Sequence, residues 1–110
     1  MAIKNDKYTI EVVHCKKEPD CIYIGRPTAL QNRNYLSDPT DPVERDKVCD
    51  AYEKDFAQLL EDEDEAAMEQ LAFIVETAIE DGYVRLGCFC APRRCHGHTV
   101  KRWLESVLNP

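Results

Sequence analysis

No stretch of this 110-residue chain is apolar for long enough to cross a bilayer as a helix. The first residues run through Lys4, Asn5, Asp6 and Lys7, where a secretory leader would carry its apolar core. Neither a membrane anchor nor export is therefore expected. Internal repeats are lacking, and the only low-complexity tract is an acidic run at 61–65 (EDEDE). The length allows one domain, 1–110, with a core of its own but no room for a second lobe. Six cysteines are present, yet neither the paired C-x2-C knuckles of zinc modules nor the Cys-x-x-Cys of thiol oxidoreductases occurs. Without export, those cysteines read as reduced thiols or metal ligands of a cytoplasmic protein.

The net charge of −7 conceals an asymmetry. Residues 41–81 hold 15 acidic and 3 basic side chains, whereas the remainder holds 11 basic and 6 acidic ones. Acid is thus concentrated on the middle helices, where it serves solubility or the docking of a protein partner. The basic remainder favours an anionic small molecule over duplex nucleic acid.

Residues 9–15 (TIEVVHC) and 21–25 (CIYIG) read as short strands. The five-residue break between them is too short for a parallel crossover, so an antiparallel hairpin is expected, with Cys15 and Cys21 near its turn and His14 a hairpin residue. Residues 26–41 form a long polar loop, a length that is uncommon in small domains and often functional. Asp41 as N-cap, Pro42 at the first helical position and Glu44 completing a capping box open a helix. Its apolar face carries Val48, Tyr52, Phe56 and Leu59, and Cys49 reads as a small buried hydrophobe. The acidic run marks a corner. A second helix follows with Met68, Leu71, Ala72, Ile74, Val75, Ala78 and Ile79 as its stripe, closed by Asp81 and Gly82. Residues 83–90 form a strand that Ala91-Pro92 stops, and Val100, Trp103, Leu104, Val107 and Leu108 follow the spacing of a last helix.

The order is β-β-α-α-β-α, which predicts an α/β, Rossmann-like domain of two or three layers with a short mixed sheet. Two helices between the second and third strands allow a crossover, so these two should pair in parallel. Their carboxyl ends then share one edge, placing the Gly25-Arg26 turn against the junction 88–98. Open α/β sheets bind ligands at that edge.

Three readings compete at the junction. Cys88, Cys90, Cys95 and His96 make a three-sulfur, one-nitrogen zinc set, although adjacent Cys95 and His96 would have difficulty turning to one ion. Alternatively, Cys95 at a helix N-terminus beside Arg93 and Arg94 is a thiol nucleophile, with His96 or His98 carrying the proton. Lastly, Gly25, Arg26, Asn32, Arg93 and Arg94 line a pocket for an anionic ligand, without thiol chemistry.

The segments YIGRPTALQNRNYL and LGCFCAPRRCHGHTV resemble the domain of unknown function 4326, a family of small phage and bacterial proteins. The family's turn is matched by Tyr23-Ile24-Gly25-Arg26-Pro27, and its later segment by Cys88-Phe89-Cys90-Ala91-Pro92 with Cys95-His96-Gly97. Gln31-Asn32-Arg33 stands where Gly-Asn-Pro is usual, and His98 where an acidic residue is expected. The resemblance implies an α/β domain that pairs the Gly-Arg turn with the Cys-His junction, in the host cytoplasm if phage-encoded, and it supplies no activity. The leading expectation is a domain that binds an anionic nucleotide-like molecule, with chemistry on that ligand left unassigned. Its rival is a zinc-stabilised accessory protein engaging a partner through the acidic helices.

Overall fold

The computed structural model describes residues 8–34, 36–38, 40–90 and 93–110. The polar start at 4–7 and the Ala91-Pro92 strand stop lie outside the described residues. Strands β1 (Thr9–His14), β2 (Ile22–Tyr23) and β3 (Tyr83–Cys88) and helices α1 (Pro42–Asp62), α2 (Glu65–Asp81) and α3 (Gly97–Leu108) follow the expected order. Asp41 begins α1 by accepting the Val43 and Glu44 N–H groups, as its short carboxylate should. Glu44 does not close a capping box. Its carboxylate instead takes the Asp38 N–H at 2.8 Å and the Ser37 hydroxyl, tying the preceding loop to the helix. Gly82 ends α2 in the left-handed conformation, φ 82°, its N–H returning to the Ala78 carbonyl.

The sheet corrects one expectation. It is wholly parallel, with strand order β1-β3-β2. Ile10 stands beside Val84 and His14 beside Cys88, while Ile22 stands beside Leu86. No hairpin joins β1 to β2. A short parallel connection is feasible because β2 is only two residues long and starts near the top of β3. The chain hops across β3, returning along it only by the two residues from Cys88 to Leu86. Seven extended residues reach roughly 23 Å, ample for two strand spacings of about 4.8 Å each. This strap, 15–21, lies over Gly87, where a Cβ would overlap the Cys21 sulfur and stand 3.1 Å from Cys15 Cβ. Glycine inside a strand here serves close approach.

All three helices share one core with one face of the sheet, giving two layers. Ile10, Val84 and Leu86 meet Leu71, Ile74 and Ala78 of α2, Tyr52 and Phe56 of α1, and Val100 and Leu104 of α3. Each fully buried aliphatic side chain contributes about 1.5–3 kcal/mol. Alternate positions turn outward, where Arg85 pairs with Glu11 and Asp20. On α2 the stripe is narrower than expected, with Ala72 and Ile79 exposed. Val107 of α3 is exposed too, while Trp103 meets the core edge-on at Phe56, 6.2 Å between centroids.

Candidate functional site

Because the three strands run in parallel, all their carboxyl ends reach one edge. Cys15 is therefore at this edge, its N–H donating to the Cys88 carbonyl at 2.9 Å. A cavity of about 500 Å³ opens there, within the range of small-molecule sites. The β2 turn supplies Tyr23, Gly25 and Arg26, the following loop Asn32 and Asn34, and α1 supplies Arg45 and Cys49. The junction supplies Cys88, Phe89, Cys90, Cys95 and His96.

Backbone and side-chain bonds hold these segments in register. Ile24 N–H donates to the Gly87 carbonyl at 3.0 Å, extending the β2 pairing by one residue. His96 Nε2–H then donates to the Ile24 carbonyl at 2.9 Å and locks the start of α3 onto the β2 turn. That bond leaves Nδ1 with the lone pair. Burial holds the His96 pKa below its ordinary value, the Ile24 carbonyl opposing and His98 adding to the shift, so the ring is neutral. Tyr52 packs edge-on against it, centroids 5.0 Å apart, and donates its hydroxyl to the Leu30 carbonyl at 2.7 Å. His98 turns away from the cavity wall, its Nδ1 accepting the Cys95 N–H at 3.2 Å. Gly97 allows α3 to seat closely, since a Cβ there would stand 3.0 Å from Val12 Cγ1 and 3.3 Å from Cys95 Sγ.

The thiols are unequal. Cys88 and Cys95 sulfurs are 3.0 Å apart. Cys95 titrates below an ordinary thiol because Cys88 donates to it and the Gly97 N–H assists, against the effect of burial. Cys90 is pushed well up by its bond to Cys88 and by burial, with the Arg45 guanidinium opposing. Cys88 is also held up: the Cys90 bond lowers it, but the bond to Cys95 and burial outweigh that. Of the three thiols, Cys95 is thus the one that ionises most readily.

Seven residues singled out from the sequence, Gly25, Arg26, Asn32, Cys88, Cys90, Cys95 and His96, line this one cavity. Asn32 does so while ordering the loop: its Oδ1 accepts the Asn34 N–H at 2.9 Å and its Nδ2 donates to the Val48 carbonyl at 3.3 Å. Arg93 and Arg94 stand outside the lining. Arg94 instead reaches α1, bonding Asp46 at 3.1 Å and Asp50 and Glu53 at 2.9 Å each. Its place at the cavity is taken by Arg45, 7% exposed, whose Nη1 donates to the Arg94 carbonyl at 3.3 Å. Arg45 had a legible signal. It precedes Cys49 by four and Tyr52 by seven residues, so a charge sits on the buried stripe of α1. Tyr23 and Phe89 at the cavity mouth, rings edge-on at 5.7 Å, had none beyond their place in the motifs.

Zinc does not fit the arrangement. Among the described residues no three His, Cys, Asp or Glu side chains are grouped to hold a metal ion. Zinc–sulfur bonds of about 2.3 Å would set tetrahedral sulfurs roughly 3.8 Å apart, against 3.0 Å between Cys88 and Cys95.

Fold and site together define a two-layer parallel α/β domain with a ligand-sized cavity at the carboxyl edge of its sheet. No helix among the described residues is long and apolar enough to cross a membrane. Within that class the chain belongs to the family described as a domain of unknown function (DUF4326), whose model matches residues 10–106. The match spans both the Gly25-Arg26 turn and the Cys-His junction. No curated protein and no solved structure matches the chain.

Proposed function

We propose that this domain binds an anionic, nucleotide-like small molecule in the carboxyl-edge cavity. The observation that carries this reading is the convergence of Arg26 and the buried Arg45 on one cavity of about 500 Å³. Guanidinium groups match phosphate and carboxylate oxygens in pairs. Tyr23 and Phe89 offer aromatic surface to a base at the mouth, and Lys16 lies 5.8 Å from the Phe89 centroid, adding positive charge to the rim. Chemistry on the ligand, at a glycosidic or phosphate-bearing carbon, would use Cys95 as nucleophile and His96 Nδ1 as proton acceptor.

Native mass spectrometry and calorimetry with inorganic phosphate, nucleoside mono- and diphosphates and dinucleotides test the proposal. Arg26 is exposed, so Arg26→Ala should leave the fold intact. Loss of one charge-assisted hydrogen bond, about 1.5–3 kcal/mol, should weaken binding roughly 10- to 100-fold. Reversing the charges at 61–65 should leave binding unchanged. Binding that ignores Arg26→Ala, or that responds to the acidic corner instead, would refute the assignment and favour a protein-docking role.

A further inference from the structure

Three of the six cysteines form a chain along one wall of the cavity. Cys88 Sγ lies 3.0 Å from Cys95 Sγ, Cys88 also bonds Cys90, and the Arg45 guanidinium bonds the Cys90 thiol. Cys88 and Cys95 are 1% and 3% exposed, yet both line the cavity, so a reagent that reaches them does so through it. We propose that Cys88 and Cys95 are a reversible dithiol pair that reduces small hydroperoxides entering the cavity, Cys95 attacking and Cys88 resolving. This inference does not depend on the nucleotide-like ligand.

A disulfide has sulfurs about 2.05 Å apart. The pair therefore needs to close by only about 1 Å, within the reach of two short side chains. Cys95 is the attacking partner because it accepts hydrogen bonds from the Cys88 thiol and the Gly97 N–H, which concentrate negative charge on its sulfur. In the first step the Cys95 sulfur bonds the outer peroxide oxygen and the O–O bond breaks. The departing alkoxide takes up a proton, giving an alcohol, and Cys95 becomes a sulfenic acid. The buried cation of Arg45 stands in this wall and favours the developing negative charge. In the second step Cys88 sulfur displaces hydroxide from the Cys95 sulfur, forming the S–S bond and releasing water. Two thiols have lost two electrons and two protons, and one hydroperoxide has become an alcohol and a water. A dithiol reductant returns the pair to its starting state.

Reduced full-length chain would be treated with one equivalent of hydrogen peroxide, alkylated and digested with trypsin. Cleavage after Arg85, Arg93, Arg94 and Lys101 places Cys88 and Cys95 on separate peptides, 86–93 and 95–101. The expected product is these two peptides joined, lighter by two hydrogens, with Cys15, Cys21, Cys49 and Cys90 still alkylated, and fragmentation of peptide 86–93 placing the alkyl group on Cys90 rather than Cys88. Cys90→Ser should keep the linkage. Cys88→Ser should leave a sulfenic acid on Cys95 that dimedone traps, and Cys95→Ser should slow peroxide consumption at least tenfold. The unsubstituted chain carries the decisive measurement, so a variant that fails to fold does not blunt the test. Consumption of peroxide by Cys15 or Cys21 before Cys95, or a linkage lost in a folded Cys90→Ser chain, would overturn the proposal.

Discussion

Replacing Gly87 with alanine tests the feature that organises the sheet. A methyl group at this position meets the Cys21 sulfur directly, Cys15 Cβ at 3.1 Å and Cys21 Cβ at 3.4 Å. Either Cys21 rotates away or the strap 15–21 lifts. Lifting would strain the Cys15 N–H to Cys88 carbonyl bond and the pairing of Arg85 with Asp20. Overpacking of this kind costs about 1–3 kcal/mol. At about 4 °C per kcal/mol for a domain of this size, Tm should fall by roughly 4–12 °C. Thermal melts by far-UV circular dichroism, with reductant present, would read the effect. Cys21→Ala removes the sulfur that the methyl meets, and by itself should cost less than about 1 kcal/mol, since it truncates a half-buried side chain. The double substitution should then recover at least half of the loss. Were β1 and β2 paired as a hairpin, Cys21 would not overlie Gly87 and the two effects would add. Additive losses, or an unchanged Tm in Gly87→Ala, would refute the strap.

Asp41→Ala should lower stability by about 1 kcal/mol by leaving the first N–H groups of α1 uncapped, read as a lower urea midpoint with unchanged slope. Arg94→Met should cost about 1 kcal/mol in low salt, because the guanidinium holds three carboxylates at a half-exposed site. The difference from the parent should shrink at high salt. His96 has its pKa lowered by burial from 6.5, so the unfolded chain binds its proton first as the medium is acidified. Its contribution is therefore complete above pH 6.5 and declines as pH falls from there toward the folded value. His96→Gln should flatten that limb of a Tm-against-pH curve, and a limb of undiminished slope would count against the assignment.

Much of this was legible from local chemistry. Asp41, Pro42 and Gly82 mark helix ends through backbone requirements that hold whatever surrounds them. The meeting of the Gly25-Arg26 turn with Cys88, Cys95 and His96 followed from parallel pairing of β2 with β3 alone. The partner of β1 did not follow, because the expected strand 21–25 is paired as a ladder only at Ile22–Tyr23. A long second strand would have required a hairpin; a short one permits a hop, and the absent side chain of Gly87 permits the crossing. Arg93 and Arg94 looked equivalent beside each other, yet the acidic face of α1 claims Arg94 across more than forty residues of chain. Such a pairing depends on where α1 lies in space. The displaced role falls to Arg45, which sits on the buried stripe of α1 and so reaches the cavity wall.

The brevity of β2 also has a dynamic consequence. Two residues of ladder, one further backbone bond at Ile24, the His96 bond and the Gln70 amide on the Tyr23 carbonyl at 3.3 Å are among the contacts that hold the Gly25-Arg26 turn in place. So short a ladder carries fewer backbone bonds than the helices do, and its opening is expected at a lower free energy than theirs. Anything bound between Arg26 and Arg45 would be held partly by the segment it helps to order, making occupancy and local folding a single equilibrium. Amide exchange at 22–26 would then report the occupant directly, slowing in proportion to its concentration while the amides of α1 and α2 keep their pace.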